Sequence, residues 1–283
     1  MIHCYQCGIE LPDNAKFCWN CGASQEGAAS KNNAEPLIDW GGDAKQKIKE
    51  LFFSQLKKRI EEEQGIKSSQ EYSEHVYESG FRDVLERRVN QFMNQTDQIR
   101  LSGSLAIQKM DQKARFLLDE LLDFYLIKHC KTLNKILLPE AILSYHNFTK
   151  LEQVDLRKMI LDFLDFNQEE ETIYTDFLVM PIDKLKNAGK AFLFPETQER
   201  ILLICDQSIM GSCKEGFALT EKGIYWKAHL QKAKKVAYHN LAEVNRVEDW
   251  ITINTQFFNV TPSINVKMMK LLRKIIRLQE EMI

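Results

Sequence analysis

Two Cys-x-x-Cys pairs open the chain. Cys4 and Cys7 are followed by Gly8, and after the ten residues from Gly8 to Phe17 come Cys18 and Cys21, followed by Gly22. Two residues between paired cysteines let both thiolates point from one turn at a single tetrahedral ion. A glycine after the second cysteine lets the backbone turn tightly, so that amide groups approach the sulfurs. The stretch between the pairs suits a short hairpin, with Pro12-Asp13-Asn14 as its turn. So short a segment lies far below the roughly 40 residues that a chain needs to fold unaided, so a metal would supply its folding free energy. Two disulfides or a redox dithiol are the competing readings. A lone redox motif needs only one pair and an α/β setting, which weighs against it.

This double knuckle resembles the zinc-ribbon family over residues 3 to 23. In that family all four cysteines bind the metal, which implies one structural Zn2+ held here by Cys4, Cys7, Cys18 and Cys21. Four protein ligands leave no open position for catalysis. His3 is read as an exposed neighbour of the site. Ribbons of this kind contact nucleic acid in some proteins and other proteins elsewhere. Lys16 against Glu10 and Asp13 gives no basic face for phosphates. Tyr5, Phe17 and Trp19 are read as a miniature core or a protein-contact surface, although they could also stack on bases.

The chain of 283 residues is long enough for one large domain or two to three smaller ones. Its 44% hydrophobic and 28% charged residues are ordinary for a soluble globular protein, and a net charge of -2 points to no particular partner. No apolar run approaches the length of a transmembrane helix, and the N-terminus has neither the basic start nor the apolar core of a signal peptide. Seven cysteines, an odd number, fit a reducing compartment better than a disulfide framework, so a cytoplasmic location is expected.

Residues 24–43 read as a flexible linker rich in Ala, Ser, Asn and Gly. Within it Pro36-Leu37-Ile38-Asp39-Trp40 is expected to dock onto the body of the protein or to serve as a partner motif. Residues 44–190 carry a helical period. Ile48, Leu51, Phe52, Leu56 and Ile60 recur at three- and four-residue steps, and a second stretch runs from about Ser69 to Leu101. A third, Arg115 to Leu138, is the most apolar and is predicted to be the central buried helix, closed by Pro139. A fourth spans Val154 to Phe166. Four amphipathic helices suggest a bundle or a similar helical domain.

Chemistry is sparse in this region. The sequence holds no H-E-x-x-H, glycine-rich phosphate loop or G-x-S-x-G elbow. The acidic run of Asp162, Asp165, Glu169, Glu170 and Glu171 is read as a solvated helix end, the usual state of a charge run. His129 and Cys130 are adjacent on a helix and so do not face each other as a catalytic pair.

Near Phe192 the period turns strand-like. Short β-rich runs are separated by turn sites at Gly211-Ser212, Lys222-Gly223, Gln231-Lys232-Ala233, Glu248-Asp249 and Asn254-Thr255, and a long helix starts at Ser263. Six or seven antiparallel strands and one capping helix resemble a pleckstrin-homology-like domain over about residues 192 to 279. The phrase Gly216 to Lys227, G-F-A-L-T-E-K-G-I-Y-W-K, is similar to one common in bacterial versions of the fold. Lipid-binding members grip phosphates with basic residues on the first hairpin. The corresponding loop here, Asp206 to Lys214, has only Lys214. A second cluster, Lys227, His229, Lys232, Lys234 and Lys235, forms an anionic-ligand patch for lipid or nucleic acid, or a solvated hairpin.

The expectation is a multidomain α+β chain: zinc ribbon (1–23), linker (24–43), α-helical domain (44–190) and a pleckstrin-homology-like barrel or sandwich with a capping helix (191–283). The leading functional expectation is a non-enzymatic cytoplasmic adaptor, with a protein-binding surface at each end and a tether that raises effective concentration. The alternatives are a nucleic-acid-associated protein and a peripheral membrane protein. The latter would attach through the same hairpin and the basic side of the final helix, formed by Lys267, Lys270, Arg273, Lys274 and Arg277. An enzyme assembled from distant residues leaves no local signature and stays open.

Overall fold

A computed structural model describes residues 2–3, 9–12, 38–40, 42–97 and 104–280. It is a mixed helix-and-sheet protein whose sheets are all antiparallel. Cys4, Cys7, Cys18 and Cys21, the four cysteines expected to hold zinc, lie outside the described residues. What is described beside them is a two-residue pairing, β1 (Ile2–His3) with β2 (Glu10–Leu11), which joins Ile2 to Leu11 and His3 to Glu10. The pairing therefore brackets Cys4 and Cys7.

The chain divides into two compact units, one from Asn33 to Thr149 and one that includes Lys150–Glu280. The first is helical. Helix α1 (Ala44–Gln64) starts at Asp43, whose carboxylate accepts from the Gln46 amide at 2.9 Å, and stops at Gly65 in the left-handed region. Its period-3.6 stripe of Ile48, Phe52, Leu56 and Ile60 is fully buried, and each such side chain contributes about 1.5–3 kcal/mol. The predicted second helix is two helices, α2 (Gln70–Glu78) and α3 (Phe81–Asp97). The break falls at Gly80, where φ is 71°, a conformation that continues no right-handed helix.

The central helix also differs from its expected bounds. Helix α4 covers Ser104–Phe124, one π-helical turn follows at Tyr125–His129, and the helix ends at Cys130, well before Pro139. Its end carbonyls are taken locally. Asn134 Nδ2 donates to Leu126 O at 2.7 Å, and the amides of Leu133 and Asn134 both donate to Cys130 O. Ile38 and Trp40 dock as expected. Both are buried, with Trp40 Nε1 donating to Asp111 Oδ1 at 2.8 Å. Arg59 on α1 ties this helix to α4, with contacts of 2.6 Å to Asp123 and 2.5 Å to Asp119, besides 2.9 Å to Glu63 on its own helix. His146 Nε2 reaches Asp123 Oδ2 at 3.2 Å. Burial opposes the guanidinium charge, but the three carboxylates outweigh it and hold its pKa well above the ordinary arginine value.

The second unit takes in Lys150–Glu280, starting well before the change of period near Phe192, together with Met1–Asn32. Helix α5 (Leu156–Leu164) and β3 (Thr172–Tyr174) belong to it, as do α6 (Ile182–Ala191) and the strands from β4 onward. A three-residue strand is too short to print an alternation in the sequence, which is why β3 was invisible there. Strands β4 (Ile201–Asp206), β5 (Gly216–Thr220), β6 (Gly223–Lys227) and β7 (Lys234–Ala237) form a meander with β3 added at its edge, in the order β3-β4-β5-β6-β7. Strands β8 (Val244–Val247), β9 (Trp250–Ile253) and β10 (Gln256–Phe258) form a second sheet, and α7 (Pro262–Gln279) closes the chain.

All five residues of β5 and the first four of β6 are buried, because these central strands are covered on both faces. On one face Ala218 and Tyr225 meet Ala188 and Phe192 of the α6 region. On the other, Phe217 and Trp226 pack edge-on against Phe258 at 5.6 and 6.0 Å, and Trp226 Nε1 donates to Phe257 O. Gly216 is required: at φ 135° its missing Cβ would sit 2.0 Å from Cys205 O. Helix α7 packs on α5, β8 and β9. Thr261 caps it, accepting from the Ile264 amide at 3.2 Å.

Candidate functional site

The connections β4–β5 and β6–β7 emerge from the same end of the larger sheet and enclose a half-open hollow of about 340 Å3. Its lining includes Gln207, Glu215, Lys227, His229, Gln231 and Asn259. The pleat fixes these groups. Gly216 pairs with Lys227 across β5 and β6, so the loop residues just beyond them face one another. Glu215 anchors the two loops. Its carboxylate meets His229 Nδ1 at 3.0 Å and Lys227 Nζ at 3.9 Å, while Lys227 Nζ donates to Lys214 O at 3.4 Å. Gln207 Nε2 donates to Asn259 O at 3.3 Å. The result is a polar hollow with amide, ammonium and imidazole groups around one carboxylate, suited to recognising a polar side chain or headgroup.

Large apolar side chains crown this end. Ile209 and Met210 on the β4–β5 loop are 86% and 88% exposed, and Leu230 on the β6–β7 loop is 89% exposed. Leu230 also adopts φ 57°, a left-handed conformation that costs a branched residue about 1 kcal/mol or more. Sequence patterning missed these three because an adjacent pair and a single residue, flanked by polar turn residues, show no period. The available signal was an apolar residue inside a turn.

The four lysines of the proposed patch do not converge. Lys227 lines the hollow and Lys232 is exposed on the β6–β7 loop. Lys234 and Lys235 leave β7 on opposite faces, as neighbours on a strand must. Lys234 Nζ lies 3.4 Å from Phe257 O, and burial lowers its pKa. Lys235 Nζ sits 5.0 Å over the Tyr225 ring and 3.3 Å from Glu196. Burial opposes the Lys235 charge, and Tyr225 and Glu196 more than restore it.

Two further charged groups of the sequence reading have other roles. Lys267, Lys270 and Lys274 of α7 are buried, and Arg273 Nε donates to Val244 O at 2.9 Å, so most of the basic side of α7 is withdrawn from solvent. The acidic run is likewise not wholly solvated. Lys158 Nζ donates to Asp162, and Glu169 is enclosed by Lys267, Ser263 and Thr261.

Cys4, Cys7, Cys18 and Cys21 remain the metal candidates by donor chemistry, since four thiols in two x2-spaced pairs match the soft, tetrahedral preference of Zn2+. Among the described residues no group of three or more His, Cys, Asp or Glu is arranged to hold a metal ion, and no helix is long and apolar enough to cross a membrane. Comparison with known proteins gave no match to a family model, a curated sequence or a solved structure.

Proposed function

We propose that the chain is a non-enzymatic cytoplasmic adaptor, in which a zinc ribbon and a pleckstrin-homology-like module each engage a protein partner. The observation that carries the reading is the pairing of an N-terminal four-thiol segment with a sheet unit whose loop end presents Ile209, Met210 and Leu230 to solvent. Exposed large apolar groups around a polar hollow suit an interaction surface. The module reading is supported by two successive antiparallel meanders, β4 to β7 and β8 to β10, followed by a packed helix. Strand β3 is an addition to that pattern. The strand pairing on either side of Cys4 and Cys7 supports the ribbon. Cys130, Cys205 and Cys213 are buried as free thiols, which supports a reducing compartment. Cross-linking in native cells tests the proposal: partner links should map to Lys16 and to Lys214 or Lys232. Links confined to other lysines would overturn it.

A second reading, attachment to an anionic membrane surface, is favoured by the same three apolar tips beside Lys214, Lys227 and Lys232. It requires sedimentation with phosphatidylserine vesicles that Ile209→Asp and Leu230→Asp abolish. Retention in the supernatant with such vesicles would dispose of it.

A further inference from the structure

The loop between β3 and α6, residues 175–181, stands beside the start of β4. Arg157 of α5 holds it, its Nη2 donating to Thr175 O at 2.9 Å, and Asp176 Oδ1 accepts from the Leu178 amide at 2.9 Å. Met180 anchors it from inside, in one apolar cluster with Ala188 and Phe192. On this fastened loop Leu178 is 97% and Val179 is 77% exposed, and Ile182, the first residue of α6, is 70% exposed. Loop and strand enclose a cleft of about 490 Å3, lined by Phe177 and Leu178, by Arg200, Ile201 and Leu202, and by Arg157. That volume lies within the roughly 300–1,000 Å3 of clefts that take a ligand group.

Three properties of the cleft describe an occupant. The strand offers it side chains and not main chain. Leu202 and Leu203 are buried, Leu203 is paired with Leu219 of β5, and Arg200 O accepts from the Glu221 amide at 3.0 Å. An occupant must therefore satisfy its own main-chain groups, which an α-helix does and a single extended segment does not. The rim is apolar, and three large aliphatic side chains held in solvent within five residues mark a contact surface. The mouth is basic, with Arg157 and Arg200 both exposed and both in the lining. Two carboxylates stand near them. Asp176 is turned to its own loop, and Glu221 lies 3.9 Å from Arg200 Nε.

We propose that this cleft takes an acidic amphipathic α-helix of a partner protein. Apolar residues three and four apart share one face of a helix, and that stripe would lie against Phe177, Leu178 and Val179. Asp or Glu on the two flanks of the stripe would meet Arg157 and Arg200. The apolar stripe supplies the affinity, while the charges fix orientation and speed the encounter. The inference rests on the adaptor reading. It adds the chemistry of one partner and a surface at the opposite end of β4 from the polar hollow.

The test pans a displayed library of alanine-based helices of about 20 residues, randomised along one stripe and its two flanks. The full chain is the bait and, in parallel, Arg200→Glu and Leu178→Asp, two exposed substitutions that should leave the thermal midpoint unchanged. Helices with Leu, Ile or Met on the stripe and Asp or Glu on both flanks should be enriched on the parent. A synthetic copy should bind the parent at least about tenfold more tightly than either variant, and a photo-reactive group in its stripe should attach to residues 175–182 or 200–202. Failure to enrich any helix, selection of basic or uncharged flanks, equal binding to parent and variants, or attachment elsewhere would overturn the proposal. So would a dimer of the parent chain that Leu178→Asp converts to a monomer, since the occupant would then be a second copy. These outcomes leave the cross-links at Lys16, Lys214 and Lys232 untouched, so the adaptor reading is tested separately.

Discussion

Lys267 on α7 places its Nζ 2.7 Å from Glu169 Oε1, joining residues 98 apart in the sequence. Both side chains are almost wholly buried, at 5% and 7% exposed. Lys267 also donates to Asp165 O at 2.9 Å, and Ser263 donates to Glu169 Oε1 at 2.7 Å. The pair fastens α7 to the segment that follows α5.

Removing one partner leaves a buried charge uncompensated. Lys267→Ala should lower the unfolding free energy by about 3 kcal/mol, and Lys267→Met combined with Glu169→Gln should cost clearly less. Urea titrations of the parent, the single and the double variant check this.

The same pair sets an acid limit. Burial pushes the Glu169 carboxyl up, but Lys267 and Ser263 outweigh it and hold it below the usual range. A carboxylate with a lowered folded pKa stabilises above its unfolded value of about 4.3 and loses that stability as pH falls through the folded value. The urea midpoint should fall below about pH 4.3, with a shallower slope in Glu169→Gln.

The helical unit should respond at milder pH. Burial and then the neighbouring His75 lower the pKa of His129, in the π-helical turn. Its unfolded form binds a proton near pH 6.5, so stability is complete above that value and declines as pH falls toward the folded pKa. His129→Gln should flatten the pH dependence of unfolding between about pH 7 and 5.

Two glycines should respond oppositely to alanine. Gly216→Ala drives a Cβ into Cys205 O at a positive φ and should cost at least about 2 kcal/mol. Gly189, within α6 and with open space around it, should gain about 0.5–1 kcal/mol as alanine. Thermal melts of the two variants check the signs.

Local periodicity placed α1, α5 and α7 and the main turns, but not the break at Gly80, the bounds of α4 or the short helix α6. The stripe of α1, the capping helix and the turn at Asn254-Thr255, with φ 46° and 69°, all follow from residue type and spacing. What escaped notice was long-range. Nothing near Glu169 marks Lys267 as its partner, and nothing near Arg59 marks Asp119 or Asp123. The basic side of α7, formed by Lys267, Lys270, Arg273, Lys274 and Arg277, looked available to a membrane surface because composition cannot tell a buried lysine from an exposed one. In the candidate site, Lys227 and His229 were legible as a basic hairpin, whereas Glu215, which contacts both, carried no signal. The split of Lys234 from Lys235 was implicit in strand alternation.

The adaptor claim is tested most directly by recovering the tagged full chain from its native cells beside a Cys4→Ser, Cys18→Ser variant, with zinc measured in both. The prediction is about one zinc per parent chain, none in the variant, and a specific protein recovered with the parent and lost with the variant. An identical set of companions in both samples would contradict the ribbon's binding role, and a zinc-free parent would contradict the ribbon itself.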